Sequence, residues 1–382
     1  MKALIILGIS LITAVTPLWA FDSDDHRMAQ FQENLQDKAD SGDTESQLLM
    51  AIKYEKGDGT KRDMNKAFYW YQKAAEQGNA DAQNNLGLLF LNGQGTPKDS
   101  KKAMIWLKKA ADQGLNIGQN NVGILYENGD GVAQNYNLAF DWYKKAADNG
   151  SSEGQYNLAV LYMNGNGVAK DMKQAIYWYT KASEHGDLDA QNNLGVIFER
   201  GMGVPKNLNT AIHWYSKAAI DGSALAQTNL GVLYLDGDPS VKNSERAFYW
   251  FKKAAELGNP KAQNNLGYLY EHGEGLEKNL TKALFWYTKA AQLGFAIAQN
   301  NLGILYSTGK GTAKDTDKAL LWFKKAAEQE DPEAQINLGL MYAQGQGVIK
   351  NLTTAKYWIG KAKANGSPDA SVIWQTYKLW NY

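Results

Sequence analysis

Residues 155–186 read QYNLAVLYMNGNGVAKDMKQAIYWYTKASEHG, and the same pattern returns every 36 residues along most of the chain. Steps of 36 from Ala67 and from Lys73 find Ala and Lys at every position, and steps from Tyr54 find only Tyr or Phe. The period does not slip, so no linker or inserted domain interrupts the array. The same step finds tryptophan nine times, at Trp70, Trp106, Trp142, Trp178, Trp214, Trp250, Trp286, Trp322 and Trp358.

Each repeat predicts two helices joined by a glycine loop. In the second repeat Leu86, Leu89 and Phe90 lie at helical spacing. Gly93 then predicts a left-handed C-cap, because glycine adopts positive φ without a steric penalty. Asp99 predicts the N-cap of the second helix. This N-cap position is Asp or Asn in every repeat: Asp63, Asp99, Asn135, Asp171, Asn207, Asn243, Asn279, Asp315 and Asn351.

A single hairpin of this kind cannot bury its own apolar face, whereas stacked hairpins can. The sequence therefore predicts an all-α fold, an α/α solenoid of nine 36-residue helix-turn-helix repeats whose Trp, Tyr and Ala columns form the core. Glycine recurs inside the first helix, as at Gly87, although it costs about 1 kcal/mol there relative to alanine. We expect this position to allow close approach of the paired helix at the recurrent alanine of the Ala67 column.

The two ends of the chain depart from the repeat. Residues 1–20 resemble a secretory signal peptide, with Lys2 followed by an apolar run and a small residue, Ala20. We expect a capping helix over 21–42, nine repeats over 43–366, and a closing helix over 367–382. That last segment carries Trp374 and Trp380, which we expect to seal the final repeat.

The composition excludes several classes of function. The chain has 40 Lys and Arg against 40 Asp and Glu, a balance that argues against nucleic-acid binding and against docking on an anionic membrane. It has no cysteine, which removes disulfides, thiolate metal sites and cysteine nucleophiles. We expect no cofactor, no metal and no catalytic residues. The four histidines share no helix at ligand spacing, and they are His26, His185, His213 and His272.

The repeat resembles the Sel-one-like repeat, a relative of the tetratricopeptide repeat, through A-Q-x-N-L-G-x-L-Y, G-x-G-V and W-Y-x-K-A-A within one 36-residue unit. The resemblance covers about 43–366. It implies a right-handed superhelix whose first helices line a concave face, and a non-catalytic adaptor that binds other proteins. The layout is similar to that of LpnE-type virulence proteins of Gram-negative bacteria, which implies a periplasmic or secreted protein.

An asparagine column runs through eight first helices, directly before a Leu-Gly pair in six of them. Because Asn is a mediocre residue inside helices, eight copies indicate a use. By the resemblance these amides face the groove, where they can bind the main chain of an extended peptide. The alternative is that each Asn bonds the backbone of a neighbouring repeat. The column consists of Asn85, Asn121, Asn157, Asn193, Asn229, Asn265, Asn301 and Asn337.

A glutamate column with twice the period lies near the end of the first helix, at Glu55, Glu127, Glu199 and Glu271. If these side chains face inward, the groove is mildly acidic and fits a neutral to basic polypeptide; the alternative is that the charges are only solvated. We therefore expect a protein or extended peptide as partner and place both columns at its binding face. Two other functions remain open, a cell-wall-active or β-lactam-binding enzyme and a self-associating structural envelope protein.

Overall fold

The structure, a computed structural model, describes residues 35–382. The predicted signal peptide, most of the predicted 21–42 capping helix and His26 lie outside these residues. Every regular element in this part of the chain is helical, beginning with a helical segment over 35–40. The first helices of the nine repeats are α1 Thr44–Lys56, α3 Ala80–Asn92, α5 Asn116–Asn128, α7 Ser152–Asn164, α9 Leu188–Arg200, α11 Ala224–Asp236, α13 Pro260–His272, α15 Ala296–Thr308 and α17 Pro332–Gln344. The second helices are α2 Met64–Glu76, α4 Ser100–Asp112, α6 Tyr136–Asp148, α8 Met172–Glu184, α10 Leu208–Ile220, α12 Ser244–Glu256, α14 Leu280–Gln292, α16 Thr316–Glu328 and α18 Leu352–Ala364.

The described chain forms two compact units. Unit 1 runs to Ile197 and includes 201–205, and unit 2 consists of 198–200 and 206–382. Within each unit the first helix of a repeat packs against the second helix that follows it, and the second helix packs against the next first helix. This is the α/α solenoid class that the 36-residue period predicts.

The predicted caps are confirmed. All nine second helices begin at the Asp or Asn of the capping column, whose side chain accepts a backbone N–H of the first turn, as at Asp99. The first helices end on a left-handed glycine, as at Gly93 with φ of 68°. Gly237 is the exception, with φ of −69°, and Pro239 replaces the second loop glycine in the same repeat.

The core columns are partly as expected. The alanine of the Ala67 column is fully buried in every repeat. Only Trp70 and Trp142 are buried among the nine tryptophans, at 7% and 8% exposure, and the other seven are half-buried. The residue after each tryptophan, such as Tyr143, is the fully buried one. Each such side chain fills the interior of its hairpin, whereas the indole covers the joint with the preceding repeat, as Trp178 does against the Tyr143 cluster.

The expected reason for the mid-helix glycines needs correction. A Cβ on Gly267 would lie 2.8 Å from the ring of Tyr287, and one on Gly231 would lie 2.6 Å from the ring of Phe251. The glycine thus makes room mainly for the large residue after tryptophan rather than for the recurrent alanine. Ala51 occupies the same column opposite a tyrosine, so the ring can give way where a methyl is present.

The C-terminal segment closes unit 2 with α19 Pro368–Thr376 and a short 3₁₀ helix, Leu379–Asn381. Trp374 packs against the last core cluster, as expected. Trp380 does not, because it is 54% exposed while its neighbour Leu379 is fully buried. The 3₁₀ geometry turns Leu379 inward and leaves the following ring in solvent.

Candidate partner-binding face

The glutamate column is bound to the second helix of its own repeat. Tyr143 Oη donates a hydrogen bond to Glu127, at 2.6 Å, across 16 residues of sequence. The hydroxyls of the corresponding tyrosines also donate to glutamate, in the pairs Tyr71 to Glu55, Tyr215 to Glu199 and Tyr287 to Glu271. All four glutamates are half-buried, and the Glu271 carboxylate also lies 4.0 Å from Lys310 Nζ.

The tyrosines act as donors over the whole ordinary pH range. Burial, together with the negative charge of Glu127, raises the pKa of Tyr143 well above its ordinary value. Burial and Glu55 raise the pKa of Tyr71 in the same way. A buried hydroxyl needs a partner, and the glutamate supplies it.

The double period of the glutamates follows from this pairing. In the second repeat Leu107 replaces the tyrosine and Leu91 replaces the glutamate. In the sixth repeat Phe251 replaces the tyrosine and Leu235 replaces the glutamate. The fourth repeat is an exception, since the Tyr179 hydroxyl lies 3.9 Å from the sulfur of Met163. The glutamates therefore serve the hairpin, and a partner would contact them only through the part of each side chain that remains exposed.

The asparagine column forms a ladder between neighbouring repeats within each unit. Asn121 Nδ2 donates to Asn84 Oδ1 at 3.0 Å, and Asn157 Nδ2 donates to Asn120 Oδ1 at 2.9 Å. In the next repeat Asn193 Nδ2 donates to the Tyr156 hydroxyl. Unit 2 repeats the arrangement with the pairs Asn301 to Asn264, at 3.0 Å, and Asn337 to Asn300, at 2.9 Å. The acceptors are side chains, not the backbone that the alternative reading expects.

The remaining asparagines lie at the same position with other partners. Asn85 and Asn265 each accept from the amide of the residue before them, Asn84 and Asn264. Asn229 is hydrogen-bonded or in another polar contact as well. Seven of the eight are half-buried and Asn121 is buried, so most of the column retains an open edge beside the ladder.

A glutamine column, which the sequence reasoning missed, joins three successive helices. Gln83 Nε2 donates to the carbonyl of Ala75, at the end of the preceding second helix. Gln83 Oε1 accepts from Gln113 Nε2, at the end of the following second helix, at 2.7 Å. Counting in steps of 36 would have found the column, because glutamine occupies all nine positions: Gln47, Gln83, Gln119, Gln155, Gln191, Gln227, Gln263, Gln299 and Gln335.

We call these two hydrogen bonds of each column glutamine, one from its Nε2 and one to its Oε1, the glutamine clamp. The bond to Oε1 depends on the residue at the end of the second helix. Asn149 Nδ2 donates to Gln119 Oε1 at 3.0 Å, and His185 Nδ1 lies 3.1 Å from Gln155 Oε1. Unit 2 has leucine at two of these positions, and the Oε1 atoms of Gln227 and Gln263 are buried without a partner. Gln335 Oε1 is also unpaired, although Asn365 stands in the donor column.

Acidic groups collect near the start of first helices in unit 1. Burial raises the pKa of Asp187, the N-cap of α9, to about 6, and the nearby charges of Asp189 and Glu153 add to the effect. The Asp187 carboxylate accepts the N–H of Ala190 at 2.7 Å. The carboxylates of Glu153, Asp187 and Asp189 are thus close enough to act on one another.

The histidines are dispersed. His185 contacts Gln155, His213 lies edge-on to Trp214, and His272 stacks on Tyr268. Over residues 35–382, no group of three or more His, Asp or Glu side chains is arranged to hold a metal ion. No helix in the same range is long and apolar enough to cross a membrane.

Comparisons with known proteins agree with this architecture. The model of the Sel1 repeat matches residues 44–79, 80–115, 117–151, 152–187, 188–223, 224–259, 260–295, 296–331 and 332–367. No curated protein sequence matches the chain.

Two solved structures are similar over most of their length. One is a protective antigen present in uropathogenic Escherichia coli strains that displays an SLR fold, with 35% identity, a TM-score of 0.67, and coverage of 88% of this chain and 80% of that one. The other is a Sel1 repeat protein from Oxalobacter formigenes, with 33% identity, a TM-score of 0.59, and coverage of 66% of this chain and 100% of that one.

Proposed function

Because this chain belongs to the Sel1 repeat family, we propose that it is a non-catalytic scaffold that binds a protein partner along the first helices of its repeats. Such repeats typically mediate protein–protein interaction, and the repeat fold itself carries no reaction. The observation that supports the proposal is the asparagine column, whose amides lie at one position in eight repeats and, in five of them, donate to a side chain of the preceding repeat. A binding surface that is already ordered loses little conformational entropy when a partner binds.

The chemistry of this face favours a neutral to basic, extended polypeptide. The open edges of the asparagines offer amide groups to a peptide main chain. Glu153 and Asp189 add negative charge at the start of α7 and α9, and the second lies exposed. A basic segment would gain from this charge both in affinity and in its rate of association.

We also propose that the protein is exported and meets host or envelope proteins. The predicted signal peptide over residues 1–20 supports export. The similar antigen of uropathogenic Escherichia coli, described as protective, supports an encounter with the host. N-terminal sequencing of the protein recovered from periplasm and medium tests export, and crosslinking of the exported protein in envelope and host lysates, followed by mass spectrometry, tests the encounter.

The test uses immobilised ten-residue peptides of varied net charge as probes for the full chain. The double variant Glu153→Gln, Asp189→Asn keeps the size of both side chains and removes their charge. Asp112→Asn with Asp148→Asn removes the same charge from exposed ends of second helices and is the matched control. We expect binding to neutral and basic peptides. In the first variant the basic peptides should bind about tenfold more weakly while the neutral peptides bind as before, and the control should bind both as the wild type does.

Equal losses in both variants, or preference for acidic peptides, would overturn the assignment of the first-helix face. The non-catalytic part of the proposal has its own assay. Cell-wall fragments and a chromogenic β-lactam, incubated with the full chain, should show no turnover above that of a heat-denatured sample.

A further inference from the structure

The outer side of the second helices in unit 2 exposes a column of large apolar side chains. Tyr249, Phe285, Leu321 and Tyr357 each precede the tryptophan of their repeat and are 51%, 50%, 49% and 54% exposed. We call these four residues the outer column. Exposed apolar side chains are ordinary singly, but here four occupy the same register in successive repeats.

The four members of the column lie on successive second helices that are joined through the core of unit 2. Trp322 of α16 packs against the core cluster that contains Ala283 and Tyr287 of α14. Trp358 of α18 packs in the same way against the cluster of Ala319 and Phe323 of α16. The residues just before these tryptophans therefore follow one another across the outer surface of neighbouring helices.

A lysine accompanies each member of the column, one turn further along the helix. Lys253 Nζ lies 5.9 Å from the centre of the Tyr249 ring, and Lys289 Nζ lies 5.6 Å from that of Phe285. Lys361 Nζ lies 5.1 Å from the Tyr357 ring. In α16, where the column has leucine, Lys325 Nζ lies 4.6 Å from the Trp322 ring. Each repeat thus presents an apolar side chain and an ammonium together.

The charge of unit 2 is separated between its two kinds of helix. On each of its second helices, α10 to α18, Lys and Arg outnumber Asp and Glu. On none of its first helices, α11 to α17, do they do so. The near-zero net charge of the chain argues against docking on an anionic membrane only if the positive and negative charges are evenly mixed over the surface. Because the Debye length is about 8 Å at physiological salt, a surface in contact with the outer column senses mainly the charges of the second helices, where cations are in excess even though Glu256 and Glu328 lie among them.

We propose that the outer column of unit 2 docks on an anionic lipid surface. Tyr side chains, with an apolar ring and a polar tip, favour the boundary between hydrocarbon and headgroups. Lysines beside them attract anionic headgroups while their stems follow the apolar side chains. A soluble polyanion would use the lysines but leave the four apolar side chains in water, whereas a lipid interface engages both. The inference uses the second helices and does not depend on the proposed function of the first helices.

The test measures co-flotation of the full chain with vesicles of phosphatidylcholine alone and of phosphatidylcholine with phosphatidylglycerol at 3:1. The apolar run near the N-terminus would associate with either vesicle, so the readout is the ratio of anionic to neutral binding. We expect the wild type to bind the anionic vesicles at least tenfold more strongly. The triple variant Lys253→Gln, Lys289→Gln, Lys325→Gln should lose most of this ratio, because each lysine near an anionic surface is worth about fivefold.

Two further variants keep the proposal falsifiable. Lys278→Gln, Lys314→Gln, Lys350→Gln removes the same charge from exposed loop positions and should keep the ratio. Tyr249→Ser, Phe285→Ser, Tyr357→Ser should weaken anionic binding while circular dichroism stays unchanged. Equal losses in the two lysine variants would overturn the proposal. So would binding to a soluble anionic polysaccharide in the absence of any preference for anionic vesicles.

Discussion

Gln113 Nε2 donates a hydrogen bond to Gln83 Oε1 at 2.7 Å and also to the carbonyl of Gly78 at 3.0 Å. The side chain at the end of one second helix is thereby tied to the start of its own first helix and to the loop before it. The same tie is absent where Leu257 and Leu293 replace the donor, and a buried amide oxygen is left unpaired in each case. The chain therefore contains its own comparison between a complete and an incomplete glutamine clamp.

Completing the clamp should stabilise the protein. Leu257→Gln and Leu293→Gln each place an amide donor opposite the unpaired oxygens of Gln227 and Gln263. The two leucines are 60% and 59% exposed, so little packing is lost. We expect a gain of about 1 kcal/mol for each substitution, the usual net value of satisfying a buried acceptor. Urea denaturation at pH 7 measures it.

The reverse substitution provides the control for the clamp. Gln113→Leu leaves Gln83 Oε1 buried without its donor and should lower the unfolding free energy by about 1 to 2 kcal/mol. If Gln113→Leu leaves the unfolding free energy unchanged, and Leu257→Gln and Leu293→Gln do so too, the clamp makes no net contribution to stability.

The Tyr143–Glu127 pair predicts a non-additive double mutant. Tyr143→Phe removes the donor and leaves a half-buried carboxylate without its partner, at a cost of about 1 to 2 kcal/mol. Adding Glu127→Leu should recover part of this loss, because Leu235 beside Phe251 is the arrangement that the sixth repeat already contains. A thermodynamic cycle over the two single variants and the double variant measures the coupling; purely additive losses would contradict the pairing.

Asp187 should make the protein less stable as the pH rises. Its folded pKa, about 6, lies above the ordinary value of 3.8, so the ionised carboxylate is disfavoured in the folded state. The penalty is absent below pH 4, grows as the pH rises between about 4 and 6, and is complete above that. Asp187→Asn keeps the N-cap and removes the charge, so it should stabilise by about 1 to 2 kcal/mol at pH 8 and by almost nothing at pH 4.

Asp43→Asn is the matched control for this pH dependence, since Asp43 is the N-cap of α1. Its hydrogen bonds with Ser46 lower the pKa of Asp43, so the ionised form is favoured in the folded state. Its substitution should therefore destabilise slightly at pH 8 and lose its effect as the pH falls, the opposite sign to Asp187. Thermal melting from pH 4 to 8 distinguishes the two; curves of the same sign would contradict the assignment.

Glu330 carries backbone strain that a glycine would relieve. It has φ of 66° at the end of the eighth repeat, where the other repeats have glycine. We expect Glu330→Gly to stabilise the protein by about 1 kcal/mol. The reciprocal change, Gly294→Glu, should destabilise by a similar amount, because Gly294 has φ of 86° and nothing within 4 Å of its absent Cβ. Melting temperatures that move in the same direction for both variants would contradict this account.

The sequence predicts the repeats and their boundaries because each column that recurs nine times has a local cause. The Trp70 column buries one face of a helix, and the Asp63 column caps a helix N-terminus. It does not tell which residue of a second helix reaches the mid-helix glycine. Ala283 and Tyr287 lie one turn apart on the same face, and only the packing shows that the ring of Tyr287 makes the close approach. Leu379 and Trp380 are adjacent, and the 3₁₀ turn alone decides which of them is buried.

For the candidate site, the sequence predicts which columns exist but not which side chains they contact. The asparagine and glutamate columns are visible as letters every 36 or 72 residues, but their partners lie 37 and 16 residues away, on a neighbouring repeat and on the paired helix. Spacing along the chain does not reveal such contacts. The glutamine clamp was equally visible as a column and was missed because a glutamine inside a helix attracts no attention by its propensity.

The central claim is that a partner lies along the first helices, and a photo-crosslinking map tests it most directly. The peptide that binds the full chain most tightly in the array would carry a benzophenone, and mass spectrometry would locate the crosslinks. The account predicts crosslinks on first helices, near the asparagine column and the start of α7 and α9. Crosslinks confined to the second helices would contradict it.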